Sequence, residues 1–176
     1  MMPPYSNSYS LAGGACFALA GAACDLRWRR IPNRLTGAAF LIAVGGNAVS
    51  GGPHGLLDSL AAGLLAGAVF AVMFFMGGMG GGDVKLMAAI AAFSGLGRLA
   101  ELLLYTALAG GVFALGVAAY RGAVGSTMRR MVAWAMPGRL NPSFASHVPP
   151  QPLYIPYGVP IAVGALLTFY GGVLAL

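Results

Sequence analysis

Residues 56–76 read LLDSLAAGLLAGAVFAVMFFM, and residues 77–83 continue as GGMGGGD. A helix needs about 20 apolar residues to cross the hydrocarbon core of a bilayer, and residues 56–76 supply that length with one charged side chain, Asp58. The whole chain has the same character, because 59% of its 176 residues are hydrophobic and 8% are charged, with a mean hydropathy of +0.80. Soluble domains carry about 25% charged residues, so the composition predicts a membrane protein.

Further apolar stretches lie on both sides of residues 56–76, and together they predict an all-α, polytopic membrane bundle of about six transmembrane helices. The predicted spans are Tyr9–Cys24, Leu35–Val49, Leu56–Met76, Val84–Leu96, Leu99–Tyr120 and Leu153–Leu174. Glycine is abundant (28 residues), as is typical where membrane helices approach one another closely. No sign of a second domain is present, so residues 1–176 are predicted to form a single integral-membrane domain.

The basic residues predict the orientation of the spans. With the N-terminus outside, nine of the ten basic residues fall in the cytoplasm and only Arg98 lies outside, in agreement with the positive-inside rule. Both termini are then periplasmic, in a multi-pass protein of the bacterial inner (cytoplasmic) membrane. Residues 121–152 form a cytoplasmic loop in which Arg129 and Arg130, beside apolar neighbours, indicate an interfacial helix.

The same cations indicate which partners the chain contacts. They lie between apolar runs, where they favour anionic membrane lipids. No basic helix with interleaved aromatic residues is present, so the sequence argues against nucleic-acid binding.

Only four residues of the chain are acidic: Asp25, Asp58, Asp83 and Glu101. Asp58 and Glu101 fall at the starts of the third and fifth spans, where a carboxylate is stabilised by the helix dipole, so both are interpreted as helix caps. Asp25 closes the first span and Asp83 opens the fourth. Two spans lie between them, so both carboxylates are expected at one depth on the cytoplasmic side. Ionisable groups at membrane depth are costly and mark functional sites.

The segments that flank these two aspartates contain helix breakers. Five glycines among residues 77–82 are not expected to hold a helix, and non-helical backbone at this depth is tolerated only where it is buried or lines a wet cavity. After Asp25, Pro32 breaks any continuing helix, and Asn33 can cap the next one.

Two carboxylates at one face provide the groups for acid–base hydrolysis of a peptide bond. One ionised aspartate takes a proton from water while a protonated partner polarises the scissile carbonyl, and repulsion between like charges keeps one proton on the pair. The two histidines, His54 and His147, fall in loops on opposite sides. No paired spacing of metal ligands is present, so neither a metal site nor a cofactor is predicted.

Three motifs in order resemble the type IV prepilin peptidase family of GxGD membrane aspartic peptidases. Gly80-Gly81-Gly82-Asp83-Val84-Lys85-Leu86 is similar to the GxGDxKL signature. Asp25 followed by Ile31-Pro32-Asn33-Arg34-Leu35-Thr36 resembles the first family motif, and Ile155-Pro156-Tyr157-Gly158-Val159-Pro160 is similar to the motif that opens the last span. The chain lacks the N-terminal cytoplasmic domain with paired CxxC motifs of the long members, and it looks more like the short enzymes of tight-adherence (Flp pilus) systems.

The resemblance implies a function and a set of site residues. It implies an aspartic endopeptidase with Asp25 and Asp83 as the catalytic pair, whose substrates are prepilin and pseudopilin precursors cut at the cytoplasmic boundary behind a short basic leader. The supporting or substrate-binding residues it implies are Gly80, Gly82, Lys85, Pro32, Asn33, Pro156, Tyr157 and Gly158. It adds the pilus-assembly machinery as a further partner, leaves self-association open, and gives no reason to expect the N-methylation activity of the long enzymes.

Two other classes of function remain open from the sequence. A small proton-coupled transporter also places aspartates beside a broken helix, but it favours carboxylates near the midplane of the membrane. A non-catalytic membrane subunit of a pilus-assembly machine would tolerate the loss of either aspartate.

Overall fold

The computed structural model describes residues 8–120 and 157–174, where every regular element is an α-helix. In chain order these are α1 (Ser8–Trp28), α2 (Asn33–Phe75), α3 (Gly81–Ser94), α4 (Leu96–Tyr120) and α5 (Gly158–Leu174). The prediction of an all-α fold is thereby confirmed for this part of the chain. Three of the described helices contain segments long and apolar enough to cross a membrane: Tyr9–Trp28, Asn33–Phe75 and Leu96–Val117.

The chain divides into two compact units, of which the larger combines Met1–Gly110 with Pro156–Leu176. This larger unit contains α1, α2, α3, the first part of α4, and α5. The smaller unit is Gly111–Ile155, and its described part is the last ten residues of α4. The predicted interfacial helix in the loop 121–152 lies outside the described residues.

Helix α2 is folded back on itself rather than straight. Gly52 interrupts it with non-helical torsion angles (φ 60°, ψ −146°), and Pro53 follows. A Cβ added at Gly63 would lie 2.8 Å from the Phe40 ring, although a straight helix would separate these residues by about 35 Å. The two arms, residues 33–51 and 53–75, correspond to the predicted second and third spans. That each predicted span crosses the bilayer stays a prediction.

Helices α1 and α3 run antiparallel and in close contact. A Cβ at Gly14 would lie 3.0 Å from Phe93 Cβ, and a Cβ at Gly21 would lie 2.7 Å from Leu86 Cδ2. A step of seven residues towards the C-terminus of α1 therefore corresponds to a step of seven residues towards the N-terminus of α3. Four residues beyond Gly21, the same register brings Asp25 opposite the start of α3.

A buried polar network anchors the opposite, C-terminal end of α3. The last carbonyls of a helix have no partner within it, and here other helices supply the donors. Asn47 Nδ2 and Ser59 Oγ, one from each arm of α2, donate to the Ala92 carbonyl at 2.9 and 2.8 Å. Ser10 Oγ of α1 donates to the Phe93 carbonyl at 2.8 Å. This end of α3 is therefore bonded to three helical segments.

The interpretation of Asp58 and Glu101 as caps of their own helices is wrong in detail. Asp58 Oδ1 accepts a hydrogen bond at 3.2 Å from the backbone N–H of Leu96, so it caps the neighbouring helix α4. The reason is the fold of α2, which brings its second arm to the start of α4. Glu101 Oε2 instead forms an ion pair with Arg98 Nη1 at 3.2 Å, one turn away on α4.

Two predicted boundaries also differ from the structure. Gly81 and Gly82 form the first turn of α3, where they lie close to Phe74 and Ile31 respectively, and these contacts between distant residues offset the poor helix propensity of glycine. The break is confined to residues 76–80. The last described helix begins at Gly158 rather than at Leu153, and Tyr157 is not helical.

Candidate active site

Asp25 and Asp83 are brought together in the larger unit. Asp25 lies one turn before the end of α1, and Asp83 lies in the first turn of α3. Both are buried, with 1% and 2% of their surface exposed. Carboxylates are almost never buried to this extent unless they are paired or functional, so the two side chains form the candidate site.

The environment of Asp83 favours its protonated form. Asp83 precedes the predicted span Val84–Leu96 and lies outside the three helices named above as long enough to cross a membrane. Burial, and after it the nearby charge of Asp25, raise its pKa to about 6, although a hydrogen bond from the backbone of Gly80 opposes the shift. In that bond the Gly80 N–H donates to Asp83 Oδ2 at 3.1 Å. Gly80 thus supports the site through its backbone.

Asp25 is held by the start of α5. The backbone N–H of Gly158 donates to Asp25 Oδ2 at 3.1 Å. A Cβ at Gly158 would lie 2.9 Å from Asp25 Cβ and 3.2 Å from Ala22 Cα, so only glycine brings this N–H so close. Asp25 Oδ1 is buried and has no hydrogen-bond partner within the described part of the chain. One oxygen is therefore positioned by a backbone N–H, and the other is an acceptor whose burial costs free energy.

Tyr157 lies next to the pair. It is half-buried, and burial, followed by the charge of Asp83, raises the pKa of its hydroxyl. A phenol in this setting stays neutral and keeps its O–H as a donor. Pro156, the other residue predicted from this motif, lies outside the described residues.

The segment after Asp25 leads directly to α2. The Arg29 N–H donates to the Asp25 carbonyl at 2.8 Å, and Arg29 adopts a positive φ of 51°. Pro32, exposed and extended (φ −64°, ψ 134°), occupies the N-cap position of α2. The prediction that Asn33 caps this helix is therefore wrong, because Asn33 already lies inside its first turn. Its side chain instead accepts a hydrogen bond from Lys85 at 2.9 Å.

The sequence reasoning missed the residues that pack behind the two carboxylates. Leu86 is fully buried and fits against Gly21 of α1, while Ile31 fits against Gly82 of α3. A signal was present, because Gly21 lies four residues before Asp25 and Leu86 three residues after Asp83. These are the spacings that share one face of a helix.

This arrangement has the groups needed to activate water. Two buried carboxylates that repel each other retain one proton between them to a higher pH than an isolated aspartate does. The protonated member is an acid and the ionised member a base, as in the carboxylate pairs of aspartic proteases. The unpartnered oxygen of Asp25 is a hydrogen-bond acceptor, and the neutral phenol of Tyr157 is a donor.

Comparisons with known proteins identify a family for the chain. A sequence model described as the type IV leader peptidase family matches residues 12–115, a region that includes both aspartates and excludes Tyr157 and Gly158. No curated protein and no solved structure matches the chain at a significant level.

Substitution of Gly158 tests how tightly α5 holds Asp25. We expect Gly158→Ala to lower the free energy of unfolding by about 1–3 kcal/mol, because the added methyl group overpacks the contact with Asp25 and Ala22. Gly171→Ala is the matched control on the same helix, since no described residue lies within 4 Å of a Cβ there, and we expect it to be neutral or stabilising by up to about 1 kcal/mol. Thermal unfolding of both variants in detergent provides the measurement. Equal stability of the two variants would contradict the close contact.

Proposed function

Given that the chain belongs to the type IV leader peptidase family, we propose that it is a membrane aspartic endopeptidase that removes the leader of prepilin and pseudopilin precursors. The observation that carries the proposal is the pair of buried carboxylates, Asp25 and Asp83, each held by one backbone N–H. Aspartates buried to this degree destabilise the fold, and acid–base chemistry explains their presence.

The proposed reaction uses the pair as one acid and one base. The ionised carboxylate takes a proton from a water molecule, and the oxygen of that water attacks the carbonyl carbon of the scissile peptide bond. The protonated carboxylate donates its hydrogen to the carbonyl oxygen as negative charge develops there. When the C–N bond breaks, the leaving amine takes up a proton and the new carboxyl group stays with the leader. We assign the acid to Asp83, because its pKa is raised to about 6.

We further propose that the site faces the cytoplasm of a bacterial inner membrane. The support is the distribution of basic residues, because Arg27, Arg29, Arg30 and Arg34 follow Asp25 directly and Lys85 follows Asp83. Cations concentrate on the cytoplasmic side of membrane proteins. A precursor whose basic leader stays in the cytoplasm would then meet the two carboxylates at the boundary of the membrane.

The orientation is tested with reporter fusions. We expect fusions after residue 30 and after residue 130 to report a cytoplasmic position, and fusions after residue 52 and at the C-terminus to report a periplasmic one, because this orientation keeps nine of the ten basic residues inside. Alkaline phosphatase and a cytoplasmic fluorescent reporter give opposite signals at each site. Periplasmic activity after residue 130 would contradict the six-span arrangement.

The catalytic pair is tested by removing its ability to carry a proton. Asp25→Asn and Asp83→Asn preserve size, and we expect each to lower the rate of prepilin cleavage by several orders of magnitude, on the order of 10³-fold or more. The double variant should be little worse than either single one, because the pair acts as a unit. The measurement is product formation by purified, monodisperse protein. Wild-type turnover by either variant would contradict the aspartic mechanism, whereas absence of cleavage by the wild-type protein would favour the transporter or the non-catalytic assembly subunit.

The pH dependence of cleavage follows from the raised pKa of Asp83. Asp83 keeps its proton up to pH about 6 and loses it above that value, so the acid disappears as the pH rises and the rate should fall by about tenfold per pH unit at the limit. At low pH both carboxylates are protonated, no base remains, and the rate should fall again. Steady-state cleavage between pH 4 and 9 gives the profile, whose two limbs belong to the pair. A rate that rises steadily to pH 9 would contradict an acid role for Asp83.

A further inference from the structure

Lys85 and Asn33 join the two segments that carry the aspartates. Lys85 Nζ lies 2.9 Å from Asn33 Oδ1, and an ammonium group can only donate hydrogen bonds, so the amide oxygen must face it. Lys85 comes two residues after Asp83, which on a helix turns its side chain away from the carboxylate. Its hydrogen bond is therefore made to the start of α2 and not to the catalytic pair.

A second contact joins the same two segments. A Cβ at Gly82 would lie 3.2 Å from Ile31 Cβ and 3.6 Å from the Ile31 nitrogen. The loop between α1 and α2 thus packs against the first turn of α3 at a position where glycine alone leaves room. Together the Ile31–Gly82 contact and the Lys85–Asn33 bond fix this loop to α3 on both sides of Asp83.

The connection closes a short ring that contains both carboxylates. The chain runs from Asp25 through the end of α1 and the loop to Asn33, crosses to Lys85 by the hydrogen bond, and returns along α3 to Asp83. On its other side Asp83 is preceded by the glycine-rich residues 76–80, which are not helical and contact Asp83 through hydrogen bonds with Gly80. The Lys85–Asn33 bond is therefore a second restraint on the start of α3, and unlike the Gly80 bonds it links α3 to the segment that follows Asp25.

We infer that Lys85 is a positioning residue, which holds Asp83 in register with Asp25 through its hydrogen bond to Asn33. The inference rests on the proposed peptidase function. Lys85 and Asn33 are both exposed, and exposed polar contacts contribute little to stability. Their effect therefore falls on the geometry of the pair, where a displacement of about 1 Å can lower a rate by as much as 10²-fold.

The choice of lysine supports a specific partner. Lys85 is the only lysine in the sequence, and the other nine basic residues are arginines. Arginine would serve equally well if the side chain only anchored the helix in the lipid headgroups or only attracted negatively charged groups. A single rotatable ammonium on a flexible stem suits one amide oxygen better than the planar fork of a guanidinium does.

The test is a kinetic cycle on the pair. We expect Lys85→Met and Asn33→Ala each to lower kcat for prepilin cleavage by about tenfold or more, with KM changed less than about twofold, because the displaced pair reacts more slowly while substrate still binds. The kcat of the double variant should be no lower than that of the less active single variant. The exchanged pair, Asn33→Lys with Lys85→Asn, restores a donor and an acceptor and should recover a large part of kcat.

The matched control is Arg34→Met. Arg34 is the neighbour of Asn33 and is also exposed. Its substitution removes one positive charge close to Asn33, as Lys85→Met does, but leaves the Lys85–Asn33 bond intact, so kcat should be unchanged. Hydrogen exchange at residues 29–33 and 80–85 provides a readout that is independent of cleavage, and it should increase in Lys85→Met and in Asn33→Ala.

The outcomes separate this inference from the proposed function. If Lys85→Met lowers kcat but Asn33→Ala does not, or if the exchanged pair recovers nothing, Lys85 acts on substrate directly and the positioning role is wrong. A rise in KM alone leads to the same conclusion. If the wild-type protein itself cleaves no precursor, the peptidase proposal fails, while the exchange measurement still reports whether the bond holds the two segments together.

Discussion

The close antiparallel approach of α1 and α3 is the constraint on which the site depends. Burial of apolar surface does not drive helices together inside a membrane, so they associate through close packing at small residues. Gly14 and Gly21 bring α1 against Phe93 and Leu86, and this register carries Asp25 to the start of α3. Larger residues at these glycines would separate the helices and with them the two carboxylates. The spacing of the pair is therefore set by apolar contacts about one turn and about three turns away from it.

The fold offsets only part of the free-energy cost of burying these carboxylates. Each aspartate receives a hydrogen bond from one backbone N–H at the start of a helix, Gly80 for Asp83 and Gly158 for Asp25, and the positive end of a helix dipole favours such an acceptor. Asp25 Oδ1 is buried without a partner among the described residues. The remaining cost appears as the raised pKa of Asp83, which is also the property that acid catalysis requires.

The sequence predicts those features of the molecule that depend on the length of apolar stretches and on the number of spans between two residues. Apolar stretches indicate helices, and two spans between Asp25 and Asp83 suffice to return the chain to the face it left. What the sequence does not contain is the partner of each polar group. Asp58 caps α4 instead of its own helix, Asn33 bonds Lys85 instead of capping α2, and Gly81 and Gly82 are helical despite their propensity. In each case a contact between residues distant in the chain overrides the local preference, and such contacts cannot be derived from spacing along a single helix.

The hydrogen bond from Gly158 to Asp25 has a consequence for folding during synthesis. The arms of α2 make contacts between residues that are close in the sequence, such as Phe40 and Gly63. Contacts of this kind form early because they require little loop closure. Gly158 and Asp25 are 133 residues apart, so the donor is synthesised long after the carboxylate that it contacts. A nascent chain that already contains both aspartates still lacks the helix that orients one of them. The backbone contact that orients Asp25 therefore forms only after 133 further residues have been synthesised.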